Sequence, residues 1–165
     1  MKRTTVIELY KEDMKFSAGH FTIFSEERRE RLHGHNFNIS AAFTVRVSEA
    51  GGMGVDYGVY KKQLVALCKA WNEYFLLPGR SPFLEIVESE NTVTARFGDE
   101  DIPFLKTDVL VLPIANVTLE ELAGLLLEKV VKVRDSLGHT QIEGIIIKVF
   151  SGPGQNASAQ WAVAP

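Results

Sequence analysis

The clearest alternation of apolar and polar residues lies in residues 35–47. Its odd positions carry Phe37, Ile39, Ala41, Phe43, Val45 and Val47, whereas its even positions carry Asn36, Asn38, Ser40, Ala42, Thr44 and Arg46. Successive side chains of a strand point to opposite faces, so this pattern predicts a half-buried strand. Residues 4–21 begin with a β-favouring Thr-Thr-Val-Ile run and predict an earlier, bent strand. The charged segment 22–32 between them predicts a loop.

Two later segments have helical spacing. In residues 57–76 the apolar positions recur at three- and four-residue steps, at Leu64, Leu67, Cys68, Trp71 and Phe75. A second helix is predicted over 119–136, where Thr118 and Glu121 have the spacing of a capping box. Short strands are expected at 83–87, 92–97 and 109–113, within an insert at about 80–113. The chain should close with strands at 142–150 and 159–163.

This order of elements predicts one α+β domain over residues 1–165. Its antiparallel sheet should carry both helices on one face. The length of 165 residues fits a single domain that can bury a core without disulfides. Open sheet edges invite pairing, so we expect a homo-oligomer.

Composition and charge narrow the class of protein. The formal charge of −3 gives no basic surface typical of nucleic-acid binding. The apolar runs are too short for a membrane span, and the N-terminus lacks the apolar region of a signal peptide. A lone cysteine, Cys68, excludes an intrachain disulfide, and its place in a helical apolar stripe favours the core. We therefore expect a cytoplasmic protein that binds neither nucleic acid nor membrane.

Histidines carry the main chemical signal. His33 and His35 flank Gly34, and residues two apart in a strand point to the same side, so both imidazoles can converge on one ion. His20 joins them if the first strand pairs with the second. Three neutral imidazoles and one open position form a typical catalytic zinc site. The spacing alone leaves open the alternative that these are buried histidines with ordinary hydrogen bonds. We interpret His139, after Gly138 at a predicted helix end, as structural.

Several segments resemble one family in the same order along the chain. FSAGH at 16–20 and LHGHNF at 32–37 resemble the histidine motifs of the 6-pyruvoyltetrahydropterin and 6-carboxytetrahydropterin synthases. GVDYGVYKK at 54–62 and NVTLEELA at 116–123 resemble the segments that lead into that family's two helices. The resemblance implies the tunnelling fold, with subunits assembled into barrels, commonly hexamers, and active sites at subunit interfaces. It also implies Zn²⁺ bound by His20, His33 and His35, and a pterin-like substrate.

The family's usual base, a cysteine before the HGH motif, is absent here. Residues 29–35 read Arg-Glu-Arg-Leu-His-Gly-His and resemble members that carry a glutamate instead and cleave the side chain of dihydroneopterin. The resemblance therefore implies Glu30 as the catalytic base, if its pKa is tuned upward. The alternative is a solvated loop charge.

Two further departures from the family concern the Asp-His pair that assists the base and the glutamate that anchors the pterin ring. Asn72 and Glu73 stand where the family has Asp-His, so Glu73 is either a second catalytic acid–base group or a helix-surface carboxylate. The family's ring-anchoring glutamate is missing, because Ser151 follows the last long strand. Thr118 and Glu120 remain as candidate substrate-binding residues, although an acid in a first helical turn is also favourable by itself.

Three hypotheses follow from these residues. The first is a zinc-dependent lyase that acts on 7,8-dihydroneopterin, its triphosphate or a related heterocycle. The second is a zinc-bearing relative that binds a heterocycle without converting it, which the missing cysteine, Asp-His pair and anchor favour. The third keeps the metal but uses zinc-bound water for hydrolysis.

Overall fold

A computed structural model describes residues 3–164. The strands are β1 (Thr4–Leu9), β2 (Lys15–His20), β3 (His33–Arg46), β4 (Tyr74–Pro78), β5 (Glu85–Glu88), β6 (Thr92–Phe97), β7 (Glu100–Leu105), β8 (Val109–Leu112), β9 (Ile142–Gly152) and β10 (Gln155–Ala162). The helices are α1 (Gly58–Trp71) and α2 (Leu119–Ser136), and a short 3₁₀ turn spans Lys106–Asp108. Neither α1 nor α2 is long and apolar enough to cross a membrane.

The strands form two sheets. In the main sheet the order is β10-β9-β3-β2-β4-β8, and β1 pairs with the later half of β3. Its pairings are antiparallel except for β2 with β4 and β4 with β8, which are parallel. The second sheet, called the small sheet below, consists of β5, β6 and β7. The predicted α+β class is confirmed, but the main sheet is mixed rather than wholly antiparallel because β4 returns to it after α1.

The first helix is shorter than its apolar pattern predicts. It ends at Trp71, and residues 74–78 form β4 instead. Asn72 ends the helix by accepting the Ser17 amide on its side chain (2.8 Å), and the Glu73 amide donates to the Ser17 carbonyl (2.7 Å). Glu73 adopts a left-handed φ of 67°. These bonds turn the chain into the sheet, so the prediction of helix to residue 76 is wrong.

Three other boundaries differ from the predictions. Residues 4–21 form two strands, since the chain turns at 10–14 between β1 and β2. β7 was not predicted because it contains acids and Pro103, which an edge strand tolerates. β10 begins at Gln155 rather than at 159, because its polar first residues lie on exposed positions.

Two hydrophobic cores meet at β4. The main core packs both helices against one face of the main sheet, and it includes the fully buried Cys68 and Leu76. Burial, and to a lesser degree Asp13, raises the pKa of the Cys68 thiol to about 12, so it stays protonated in the core. The second core lies between the small sheet and β4, and it includes Leu77.

His139 lies among residues that hold the helices to the sheet. The buried Tyr60 hydroxyl of α1 forms a 2.6 Å hydrogen bond with Nδ1 of His139, and the two rings lie edge to face. The backbone amide of His139 donates to the Arg134 carbonyl at the end of α2. These contacts give His139 a structural role, away from the other three histidines.

Candidate metal centre and substrate cavity

Pairing of β2 with β3 brings three histidines together. His20 is the cross-strand partner of His33, and Ala18 is the partner of His35. The ring of His20 lies 4.5 Å from that of His33 and 5.1 Å from that of His35, centroid to centroid. One ligand nitrogen from each ring lies within 4.8 Å of the other two. The predicted cluster of His20, His33 and His35 is therefore present in the fold.

Hydrogen bonds fix which ring nitrogen faces the cluster. Nδ1 of His20 donates to the Val117 carbonyl (2.9 Å), and Nδ1 of His33 donates to the Arg31 carbonyl (2.8 Å). A carbonyl only accepts, so both Nδ1 atoms carry hydrogen and both Nε2 atoms carry a lone pair when the rings are neutral. Nε2 of His33 lies 3.1 Å from Nε2 of His35. Such backbone acceptors are the usual partners of metal-binding histidines.

Burial keeps the His20 ring neutral. Desolvation lowers the pKa of His20 to about 4, although the Val117 hydrogen bond acts in the opposite direction. Desolvation and the nearby His33 also lower the pKa of His35. Nε2 of His20 is buried and has no hydrogen-bond partner. An unpaired buried acceptor beside two further imidazole nitrogens fits a zinc ion with an open coordination position.

Glycine between the ligands allows the two strands to approach closely. Gly34 is directly opposite Gly19, and a Cβ at residue 34 would lie 3.0 Å from the Ala18 carbonyl oxygen. A Cβ at residue 19 would lie 2.4 Å from Cδ2 of Phe75. A larger residue at position 34 would therefore push β3 away from β2, whereas one at position 19 would displace the Phe75 side chain of β4.

The carboxylate of Glu30 lies beside this cluster. Its Oε2 accepts the Thr22 amide (3.0 Å) and lies 3.8 Å from Nε2 of His33. Burial opposes ionisation of Glu30, but the bonds from Thr22 and the neighbouring His33 and His20 outweigh it and lower the pKa of the carboxyl. The upward shift that the sequence argument invoked is absent, because a backbone amide stabilises the charged form.

Glu30, Thr118 and Glu120 line one cavity of about 340 Å³ together with the three histidines. Thr118 is the N-cap of α2, and its hydroxyl accepts the Glu121 amide (3.3 Å). The reciprocal half of the capping box is not formed, since Glu121 accepts the Ala115 amide instead. Glu120 lies in the first turn of α2, at the mouth of the cavity formed with the histidines.

Glu73 does not line this cavity. It lines a separate concavity with Ser17, Gly19 and Gly34, which His35 also borders. Ser17, Gly19 and Gly34 alternate with the histidines along β2 and β3, and side chains at alternating positions face opposite sides of a sheet. Glu73 therefore lies outside the histidine cavity, beyond the end of α1 rather than on its surface.

Sequence reasoning identified Ser151 at the place of the missing ring-anchoring glutamate, but it did not identify Gln155 and Asn156 of the last hairpin. Ser151, Gln155 and Asn156 line the cavity beside the histidines. β9 runs antiparallel to β3, so beyond the Asn38–Phe150 pair it continues towards the histidine-bearing start of β3. β10 then runs back antiparallel to β9. Extending that register beyond Phe150 places Ser151 opposite Phe37, two residues from His35, and this is the signal that would have located it.

A sheet with two helices on one face and three histidines from two paired strands defines a tunnelling-fold protein with a histidine cluster that could hold a metal ion. The sequence profile described as 6-pyruvoyl tetrahydropterin synthase matches residues 8–159. The chain therefore belongs to the 6-pyruvoyl tetrahydropterin synthase family, whose members are lyases of pterin metabolism. The resemblance inferred from the histidine motifs is confirmed.

Individual relatives agree with this assignment. A putative 6-carboxy-5,6,7,8-tetrahydropterin synthase of Methanocaldococcus jannaschii is 22% identical over 144 residues, which are 87% of this chain and 88% of the relative. The 6-pyruvoyl tetrahydropterin synthase structure from Plasmodium vivax has a TM-score of 0.88 at 24% identity, covering 98% of this chain and 99% of that one. A variant of the P. vivax protein, in which a glutamate described as a catalytic residue is replaced by cysteine, has a TM-score of 0.87 at 22% identity and the same coverage. These structures confirm the tunnelling fold.

Proposed function

We propose that this chain is a zinc-dependent lyase that breaks the bond between the first and second side-chain carbons of 7,8-dihydroneopterin, or of its triphosphate. The products would be 6-hydroxymethyl-dihydropterin and a two-carbon hydroxyaldehyde, which carries the triphosphate when the substrate does. The observation that carries the proposal is the position of Glu30, whose carboxylate lies 3.8 Å from the ligand nitrogen of His33. Glu30 lies just before the HGH motif, in the segment where other family members have a catalytic cysteine.

His20, His33 and His35 would hold the zinc ion. A zinc ion held there would supply Lewis acidity, which would make protons beside the oxygens of a bound side chain easier to remove. Glu30 accepts the proton at Oε1 or Oε2, and the Thr22 amide holds Oε2 towards the cluster. Phe37 forms an apolar wall, with its ring 5.7 Å from that of His20 and 5.6 Å from that of His35.

A relative supports the role given to Glu30. In the Plasmodium vivax synthase, a glutamate is described as a catalytic residue. That protein matches nearly the whole of this chain in structure. We infer that Glu30, the acid just before the HGH motif here, has the corresponding role.

Polar side chains around the cavity would orient the heterocycle. Glu120 can accept ring N–H groups, and the Thr118 hydroxyl can donate a hydrogen bond while it caps α2. Ser151, Gln155 and Asn156 provide further donors and acceptors where the family's anchoring glutamate is missing. This arrangement replaces one charged contact on the last hairpin by neutral ones.

Product analysis tests this proposal. Zinc-loaded protein is incubated without oxygen with dihydroneopterin and, separately, with its triphosphate, and products are read by mass spectrometry. We expect 6-hydroxymethyl-dihydropterin from at least one substrate. A 6-pyruvoyl or 6-carboxy product would still show a pterin lyase, but it would assign the protein to a different reaction type of the family. Recovery of both substrates unchanged, with one bound to the protein, would support the alternative of a heterocycle-binding relative, which the lost Asp-His pair favours.

Assembly into a homo-oligomer, with a hexamer as the family's common form, is part of the proposal. Glu73 does not line the histidine cavity of its own chain, so we infer that it serves the cavity of a second copy. We place the enzyme in the cytoplasm, since its single buried thiol needs no oxidising compartment.

Complementation between inactive variants tests the role of Glu73. We expect Glu73→Gln and Glu30→Gln each to lose most turnover alone, and their co-expression to restore part of it in mixed oligomers. Co-expression of Glu30→Gln with His33→Ala is the control, because both changes affect the same cavity and Glu73 stays intact in both chains. Full turnover by Glu73→Gln alone would instead make Glu73 a surface carboxylate.

A further inference from the structure

The segment that carries Glu30 is packed into the core of the small sheet. Phe21 is 1% exposed and Ile23 is 5% exposed, and both belong to the second core with Val93 and Phe97 of β6. The chain between His20 of β2 and Glu30 is therefore anchored in the second core, which the 80–113 segment shares with β4. The side chain of Asn116 also holds the Ile23 backbone through two hydrogen bonds, of 3.1 and 2.7 Å.

Thr22 connects this buried segment to the carboxylate of Glu30. It lies between the two buried residues, and its amide donates to Oε2 of Glu30 (3.0 Å). The Glu30 amide donates back to the Thr22 carbonyl (2.8 Å). Glu30 is thus tied at both its backbone and its side chain to a residue whose neighbours are fixed in the second core.

Arg29 makes a second connection between the small sheet and Glu30. Its Nε and Nη2 donate to Oε2 of Glu100 at 2.9 and 2.5 Å, and its Nη1 donates to the Glu30 carbonyl at 2.8 Å. The Arg29 side chain is 16% exposed and its guanidinium lies 5.9 Å from the Phe97 ring centroid. Gly98, with φ of +55°, forms the tight turn between β6 and β7 that brings Glu100 to this point.

We propose that the small sheet positions the catalytic base, with Arg29 and Glu100 as positioning residues. Neither side chain lines the histidine cavity, so their effect on the reaction passes through Glu30. The inference rests on the proposed function, in which Glu30 takes the proton. It assigns a role to the 80–113 segment, which otherwise lies outside the cavity.

Glu100→Gln tests the proposal. It removes the charge from an exposed partner of Arg29, so the fold should persist. We expect kcat to fall about tenfold, the range for losing a supporting contact of an active group, with a smaller change in KM and unchanged zinc content. Hydrogen exchange of the Thr22 and Glu30 amides should become faster.

Glu85→Gln is the matched control. It breaks another exposed ion pair of the small sheet, between Arg96 and Glu85 at 3.0 Å, which does not contact residues 21–30. We expect wild-type kcat and wild-type exchange at Thr22 and Glu30. A Glu100→Asp variant, which keeps the charge, should recover part of the lost kcat.

The outcomes separate this inference from the proposed function. If Glu100→Gln leaves kcat unchanged, whether or not amide exchange increases, the positioning role is wrong. If Glu100→Gln accelerates exchange and lowers kcat while Glu30→Gln abolishes turnover, both proposals stand. If Glu30→Gln retains wild-type turnover, the proposed base is wrong, and the exchange data still report whether the small sheet holds the segment.

Discussion

Glu30→Gln is expected to lower turnover by roughly 100- to 10,000-fold, the usual contribution of a positioned general base. Glutamine has the same shape as glutamate, and its amide oxygen can still accept the Thr22 hydrogen bond that now holds Oε2. It cannot take a proton from substrate. The variant should therefore fold, bind zinc and bind pterin while it loses the chemical step.

Single-turnover measurements with the mass-spectrometric product assay give this result directly. Glu27→Gln is the matched control, since Glu27 is an exposed acid in the same loop and does not line the cavity. Zinc content is measured in parallel. Loss of zinc from Glu30→Gln would make this carboxylate a metal ligand rather than a base, and unchanged turnover would remove it from the mechanism.

His20→Ala should have the largest effect on the metal centre. His20 is 6% exposed, its Nδ1 is held by the Val117 carbonyl, and its buried Nε2 has no other partner. Loss of an outer-shell partner of a ligand weakens metal binding by about 10- to 100-fold, and loss of the ligand itself should weaken it by at least about 100-fold. Competition with a chromophoric chelator measures the change in affinity.

Two other histidine variants complete this experiment. His139→Ala removes the fourth histidine, which contacts Tyr60 and lies outside the cluster, so it should keep wild-type zinc affinity. His33→Ala truncates an exposed ligand and should weaken zinc binding with little risk to folding. Wild-type affinity in both His20→Ala and His33→Ala would contradict a three-histidine site.

Local patterns and the family resemblance together predicted the histidine cluster. His33 and His35 share a strand face by the two-residue period, and His20 joins them because the first strand does pair with the second, as the prediction required. The helix over 119–136 was also correct, because its N-cap and apolar stripe agree. In these places the local signal and the tertiary structure favour the same conformation.

The failures occur where tertiary contacts override local spacing. Phe75 has helical spacing from Trp71, yet bonds from Asn72 and Glu73 to Ser17 bring it into β4. Sequence spacing also could not show that Glu73 lies outside the histidine cavity or that Thr22 lowers the pKa of Glu30. These properties depend on residues that are distant in the chain or on backbone amides.

Leu76 and Leu77 show how closely the two cores are joined. Both are fully buried, but Leu76 belongs to the main core and Leu77 to the second core. A slip of β4 by one residue would exchange their faces and disrupt both cores at once. β4 therefore couples the two cores. Local opening of the small sheet removes the packing of Leu77 and so destabilises β4, which pairs with β2, the strand of His20. Heat or denaturant that loosens the small sheet should therefore also loosen β2, the histidine-bearing strand that pairs with β4.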